Sequence, residues 1–113
     1  AAACRADRAC YGMPYRGEAG GGYATEQRTY HEASPLSHVS PSSPPFLLMH
    51  GDADVLVPYE QSVLMQAALR GVGVPVELLC IPGAGHGPDF PGATHPPDYL
   101  GAMVAWLDQY LLR

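Results

Sequence analysis

The chain has 113 residues and a formal net charge of −5, with six arginines and no lysine. Apolar residues make up 47% of it and charged residues 15%, which is a globular composition for one domain at most. An acidic chain without a basic stripe argues against partners such as nucleic acid or an anionic membrane surface. No apolar stretch has the length of a transmembrane helix.

The beginning of the chain carries little periodic signal. We expect residues 1–30 to form an irregular segment and residues 31–113 to form the folded unit. The three cysteines are widely spaced and odd in number, so they indicate neither a disulfide framework nor a metal site. We therefore expect no metal and no cofactor. Free cysteines and the lack of a secretory signal favour the cytoplasm.

The middle of the chain predicts a strand, a helix and a second strand. Phe46–His50 and Val76–Ile81 are short apolar runs bounded by proline and glycine, which is typical of parallel strands covered on both faces. Residues 59–70 between them predict a helix that starts after Pro58. The apolar face of this helix is expected at four positions: Leu64, Ala67, Ala68 and Gly71.

A final helix is predicted from about Pro97 to Leu112. Its apolar stripe should pack on one face of the sheet and consists of Leu100, Val104, Leu107 and Leu111. The predicted fold class is therefore α/β, with a parallel sheet and flanking helices built from a βαβ unit and a last helix.

Two loops with polar side chains follow the two strands, and each carries a residue suited to acid–base chemistry. The first contains Asp54 and the second contains His86. Because the carboxyl ends of neighbouring parallel strands share one edge, these side chains are expected to meet. A carboxylate that holds one imidazole nitrogen leaves the other nitrogen as a general base. Each residue alone is also open to a structural interpretation, Asp54 as a turn former and His86 as a loop residue between glycines.

The motifs H-G-D-A-D-V-L-V-P at residues 50–58 and G-A-G-H-G at residues 83–87 resemble the esterase and prolyl-oligopeptidase-like branch of the α/β-hydrolases. The resemblance covers roughly residues 24–113 and corresponds to the C-terminal part of such an enzyme, so that the fold would be a truncated α/β-hydrolase. It implies that Asp54, and not Asp52, is the acid of a Ser-His-Asp triad and that His86 is its histidine.

The chain departs from this family at the nucleophile, because no G-x-S-x-G elbow occurs in it. The candidates that remain are Ser62, Ser37 and Cys10. A serine of a second subunit and a water molecule activated by the Asp54–His86 pair are further alternatives.

The leading expectation is a carboxylic-ester hydrolase that acts on a small-molecule ester with a short acyl chain. The alternative is a non-catalytic α/β-hydrolase fragment that acts as an oligomerising or binding module. A metal-assisted hydrolase that uses Asp54 and His86 with His50 or His95 is a third possibility. A sheet lacking its early strands leaves an apolar edge without a neighbour, so we expect a homo-oligomer.

Overall fold

The computed structural model describes residues 27–95 and 97–112, and this part of the chain contains a βαβ unit with a helix before it and a helix after it. The elements in chain order are α1 (Gln27–Ala33), a 3₁₀ turn (Pro35–His38), β1 (Phe46–Gly51), α2 (Glu60–Gly71), β2 (Val76–Ile81) and α3 (Tyr99–Leu111). Helix α1 spans the boundary expected at residue 30, so residues 27–30 are helical rather than irregular. Within the described ranges, no helix is long and apolar enough to cross a bilayer.

The two strands pair in parallel as neighbours, with Phe46 opposite Val76 and Gly51 opposite Ile81. This confirms the predicted α/β unit, in which helix α2 connects two parallel strands. The strand bounds agree with the sequence prediction to within one residue, because proline and glycine delimit both apolar runs. The register brings the carboxyl ends of both strands, and the loops that follow them, to the same edge.

Helix α2 begins at Glu60, two residues after Pro58, and ends at Gly71. The predicted apolar face of this helix is partly wrong. Ala67 and Gly71 are exposed, whereas Leu69, which was not assigned to that face, is completely buried. In α2 the size of the apolar side chain decides burial more than its position on a helical wheel. A leucine side chain contributes about 2 kcal/mol when it is buried, and an alanine far less.

The buried apolar core is small and lies partly beneath the loops that follow the strands. Among the described residues, the buried hydrophobic side chains are Tyr30, Leu69, Val74, Ile81 and Ala84. Ile81 ends β2 and Ala84 lies in the loop that follows it. The loop after β2 therefore rests on packed side chains, which is a precondition for holding a catalytic side chain in place.

The strands are less covered than expected. Side chains of β1 are half-buried rather than fully buried, and Glu77 and Cys80 of β2 are exposed. Continuous apolar runs are typical of strands covered on both faces, but α2 is the helix that packs on this two-stranded sheet. The expectation that both faces are covered is therefore wrong for the described part of the chain.

Helix α3 starts with an N-cap at Asp98, whose Oδ1 accepts a hydrogen bond from the Gly101 N–H at 2.9 Å. The prediction that this helix packs on the sheet is wrong. Its whole apolar stripe is between 48% and 71% exposed, and it consists of Leu100, Val104, Leu107 and Leu111. Periodicity identifies the face of a helix that favours burial, but it does not specify the surface that buries it.

Candidate functional site

The loops after β1 and β2 are bonded to each other directly. The Ala53 N–H donates to the Ala84 carbonyl at 3.0 Å, and the Gly83 N–H donates to Asp52 Oδ1 at 2.7 Å. Asp52, which the resemblance did not assign as the acid, thus links the two loops. These bonds fix the relative position of the segments that carry Asp54 and His86.

Gly51 allows this close approach. A Cβ atom at this position would overlap the carbonyl group of Ala84, so no other residue fits without moving one of the loops. The glycine at the end of β1 is therefore a structural requirement of the contact between the loops. Its side-chain hydrogen is the only substituent that the Ala84 backbone leaves room for.

Asp54 and His86, the predicted acid and base, lie within hydrogen-bond distance although 32 positions separate them. The His86 Nδ1 atom is 3.0 Å from Asp54 Oδ2. The Asp54 side chain is 6% exposed and the His86 side chain 51% exposed. An acidic group is thus held inside, with a solvent-accessible imidazole in front of it. Since Asp54 occupies Nδ1, the atom left for proton transfer is Nε2.

The Asp54 carboxylate is stabilised in its charged form. Burial by itself raises the pKa of Asp54, but hydrogen bonds from the Val57 N–H, from His86 and from the Leu56 N–H outweigh it, so the pKa lies below its ordinary value. The two backbone donors lie 2.8 and 2.9 Å from Oδ1. At neutral pH the group facing His86 is therefore a carboxylate.

A cleft of about 400 Å³ opens beside the pair. Its lining combines the two polar residues with glycines and apolar side chains: Met49, His50, Gly51, Asp54, Val57, Gly85, His86, Gly87, Pro88 and Phe90. A mostly apolar cleft with a few convergent polar groups is typical of small-molecule sites. The residues that form the apolar wall were not identified from the sequence, because they are far apart along the chain.

Phe90 forms part of this wall in a left-handed backbone conformation, with φ of 47°. A non-glycine residue in this region carries a backbone strain on the order of 1–3 kcal/mol and depends on its surroundings to hold it there. The Phe90 ring packs edge-to-face against Tyr99 at a centroid distance of 5.5 Å, and the Phe90 N–H donates to the Gly87 carbonyl. In the sequence, the proline and glycine of Phe90-Pro91-Gly92 are the signal that could have predicted a turn at this position.

In the described part of the chain, neither candidate serine forms a hydrogen bond with His86. The Ser62 hydroxyl lies 2.6 Å from His50 Nδ1, and the Ser37 hydroxyl lies 3.2 Å from His31 Nδ1. Cys10 lies outside the described residues. Both serine hydroxyls are thus bonded to histidines other than the predicted base.

His50 also approaches the carboxylate, with Nε2 at 3.5 Å from Asp54 Oδ2. Its two ring nitrogens are nevertheless engaged, Nε2 by the Val57 carbonyl at 2.8 Å and Nδ1 by Ser62. A metal ion would have to displace these bonds. No cluster of three or more metal-ligating side chains occurs among the described residues, so the geometry does not favour the metal-assisted alternative.

Comparisons of the sequence and of the structure with known proteins indicate the same family. The sequence profile of the prolyl oligopeptidase family matches residues 8–113, starting earlier than the resemblance had indicated. Esterase LipC of Mycobacterium tuberculosis is 36% identical over 81 residues, which is 71% of this chain and 20% of LipC. The chain therefore spans about a fifth of the length of this relative.

Solved structures agree with the sequence relatives. A bifunctional GH43-CE protein of Bacteroides eggerthii matches with a TM-score of 0.68 and 29% identity, over 81% of this chain and 12% of that protein. Thermogutta terrifontis esterase 2, solved after phosphorylation by paraoxon, matches with a TM-score of 0.61 and 30% identity, over 70% of this chain and 32% of that protein. The chain belongs to the prolyl oligopeptidase family and carries the C-terminal βαβ unit and last helix of its α/β-hydrolase fold.

Proposed function

We propose that this chain supplies the acid and the base of a carboxylic-ester hydrolase, with Asp54 and His86 as two members of a Ser-His-Asp-type triad. The observation that carries the proposal is the 3.0 Å contact between His86 Nδ1 and the protected carboxylate of Asp54. The esterases among the relatives and solved structures support the reaction class. Fold alone would not suffice, since one fold hosts many activities.

In this proposal, His86 Nε2 accepts the proton of an attacking hydroxyl as its oxygen bonds to the ester carbonyl carbon. The Asp54 carboxylate stabilises the imidazolium that forms and keeps Nδ1 protonated. The imidazolium then returns the proton to the leaving alkoxide, which departs as an alcohol. A water molecule completes the cycle by the same proton transfers and releases the carboxylic acid.

The cleft supports short acyl esters as the substrate class. Its walls next to His86 are apolar, with Met49, Val57 and Phe90 on the surface that a substrate would contact. Apolar walls favour an uncharged acyl group, because a charged group would lose its hydration without gaining a partner. A volume of about 400 Å³ is sufficient for a small ester.

The attacking hydroxyl is the part of the triad that the described residues do not supply. Ser37 and Ser62 already bond to His31 and His50. The chain has no serine outside the residues that the structure describes. We propose that a serine of a second subunit reaches His86. Water activated by the Asp54–His86 pair is the alternative source, and it would give slower turnover without an acyl-enzyme.

The test is hydrolysis of p-nitrophenyl acetate by the parent and by His86→Ala, with His38→Ala as a matched control. His38 is an exposed histidine that bonds to the Glu32 carbonyl, away from the cleft. We expect His86→Ala to lose nearly all turnover, because no other group takes the proton, and His38→Ala to keep the parental rate. Asp54→Asn should lower kcat by orders of magnitude, since the histidine tautomer becomes wrong.

Incubation with paraoxon, followed by mass spectrometry of peptides, distinguishes the sources of the hydroxyl. A phosphorylated serine whose labelling disappears in His86→Ala identifies the nucleophile. Turnover that depends on His86 without any label indicates activated water. Equal turnover in the parent and in His86→Ala, or none in either, would refute the esterase proposal for this chain.

A non-catalytic oligomerising module is the second candidate function, and the exposed apolar stripe of α3 favours it. We propose a second copy of the chain as its partner. Two such stripes can face each other across a twofold axis, which gives a self-complementary interface. Light scattering after size exclusion measures the mass directly. A monomer at high protein concentration would contradict the homo-oligomer.

A further inference from the structure

The bonds of His50 determine which of its ring nitrogens carries the proton. The Val57 carbonyl, 2.8 Å from Nε2, can only accept a hydrogen bond, so Nε2 must donate. In the neutral ring, Nδ1 is then an acceptor, and the Ser62 hydroxyl at 2.6 Å must donate to it. The Val57 carbonyl thus fixes the tautomer of His50, and Ser62 on helix α2 supports it by donating to Nδ1. The hydroxyl that was a candidate nucleophile has a partner and a defined direction.

His50 acts on the segment that also holds the carboxylate. Val57 is bound at both of its backbone groups: its N–H donates to Asp54 Oδ1 at 2.8 Å, and its carbonyl accepts from His50. The loop between β1 and α2, residues 52–59, carries Asp54 and is called the acid loop. Its far end is therefore connected to β1 through the His50 side chain and to α2 through Ser62. Without His50, the Val57 carbonyl loses this bond, and Asp54 Oδ1 remains as the hydrogen-bond partner of the Val57 backbone.

The His50 ring also lies near the carboxylate oxygen of Asp54 that faces His86. Asp54 Oδ2 lies 3.0 Å from His86 Nδ1 and 3.5 Å from His50 Nε2, so it sits between two imidazoles. His50 is the inner one, with a side chain that is 10% exposed, and its ring also packs edge-on against Tyr59 at 5.6 Å. An inner imidazole held on several sides is suited to orient a carboxylate, whereas the outer one is suited to exchange protons.

We infer that His50, fixed in its Nε2–H tautomer by the Val57 carbonyl and supported at Nδ1 by Ser62, is a positioning residue that holds the acid loop so that Asp54 directs one oxygen at His86. It does not exchange protons with substrate, since both ring nitrogens are engaged. An effect of His50 on catalysis rests on the proposed ester hydrolysis. Its effect on the position of Asp54 can be measured without any turnover. The assignment also gives Ser62 a role other than that of a nucleophile.

The test compares His50→Leu, His50→Gln and Ser62→Ala with the parent by NMR. His50→Leu removes the donor to Val57, whereas the Gln amide can place an N–H near the former Nε2 position. In His50→Leu we expect shifted amide resonances at Leu56 and Val57 and faster exchange of the Val57 amide proton. The pKa of Asp54, followed at its carboxyl carbon, should rise towards 3.8 as its hydrogen bonds loosen. His50→Gln should restore parental values.

The control is His38→Leu, which removes another histidine–carbonyl bond outside the site and should change none of these signals. Ser62→Ala should alter the ring-nitrogen resonances of His50. Parental Leu56, Val57 and Asp54 signals in a folded His50→Leu protein would overturn the inference. If that variant does not fold, parental His50 ring and Val57 amide signals in Ser62→Ala would overturn it equally.

Kinetics separate this inference from the proposed function. If the parent hydrolyses p-nitrophenyl acetate, His50→Leu should lower kcat by about tenfold to a hundredfold with little change in KM, because a displaced acid impairs proton transfer and not binding. An unchanged kcat would count against the positioning role. If the parent has no turnover, the proposed function fails, while the NMR comparison still decides on His50.

Discussion

The two oxygens of the Asp54 carboxylate have different partners. Oδ1 accepts from the Leu56 and Val57 N–H groups, which closes the acid loop on itself, and Oδ2 faces His86. One residue therefore folds its own loop and orients the base. Because the same carboxylate does both, the stability of the loop depends on the charge of Asp54.

This coupling predicts the acid limb of the stability profile. The pKa of Asp54 is below its ordinary value of 3.8 in the folded chain, so the charged form stabilises the fold above that pH. The contribution should disappear as the pH falls below about 4 and passes through the folded-state pKa. In urea unfolding at pH 7 and pH 3, Asp54→Asn should lose less free energy of unfolding on acidification than the parent. Equal losses in both proteins would contradict the prediction.

Asp54 and His86 were selected from the sequence largely by resemblance to the family. Local chemistry alone left Asp52 and Asp54 similar, since both follow a strand in a turn. What separates them in the structure is the direction of their bonds: Asp52 Oδ1 accepts from Gly83, whereas Asp54 Oδ2 faces His86. The link from Ser62 to His50 joins positions 12 apart through a loop and a helix, and no periodic pattern reports such a contact.

At the scale of elements, the site depends on how closely the ends of the two strands approach. Gly51 is buried against Ala84, and the loops beyond them share backbone hydrogen bonds. A methyl group at Gly51 would separate the loops and with them the acid and the base. Gly71, at the end of α2, has open space around it and provides a matched comparison.

We therefore expect Gly51→Ala to lower both stability and turnover, by roughly 1–3 kcal/mol in the free energy of unfolding, because overpacking must displace a loop. Gly71→Ala should be neutral or stabilising by up to about 1 kcal/mol, since alanine is the better helix former. Urea denaturation and p-nitrophenyl acetate kinetics check both variants. A Gly51→Ala protein that matches Gly71→Ala in both measurements would contradict this account of the contact.

The two strands and the last two helices were predicted well because local signals delimit them, whereas helix α1 and the 3₁₀ turn were not predicted. Prolines and glycines bound the apolar runs of β1 and β2, and Asp98 caps α3. Burial was predicted less well, because it depends on contacts between distant segments. Leu69 is buried outside the predicted face of α2, and Cys80 is exposed although it lies in an apolar run.

At the scale of the molecule, α3 is the element with the least tertiary support. It connects to the site through the contact of Tyr99 with Phe90, while its apolar stripe faces outward. Exposed aliphatic side chains aligned along a helix are typical of interaction surfaces. The proposed homo-oligomer would cover this stripe.

A charge within the stripe should therefore change the mass of the particle. Val104→Asp places a carboxylate at the centre of the proposed interface, where it would lose hydration without gaining a partner. Gln109→Glu adds the same charge at an exposed position on the opposite side of α3 and serves as the control. Light scattering should show a smaller mass for Val104→Asp than for the parent, and the parental mass for Gln109→Glu. Identical masses in all three proteins would contradict an interface through this stripe.

The separation of only 32 positions between Asp54 and His86 has a consequence for folding kinetics. The entropy lost on closing a loop grows slowly with its length, by about 0.6 kcal/mol for each doubling, and here α2 shortens the flexible part further. Contacts between residues close in sequence form early, because little chain must be ordered first. The acid–base pair should thus assemble together with the parallel strand pair. In pulsed hydrogen exchange, the Val57 amide should become protected in the same phase as the amides of β2, and not in a later docking phase.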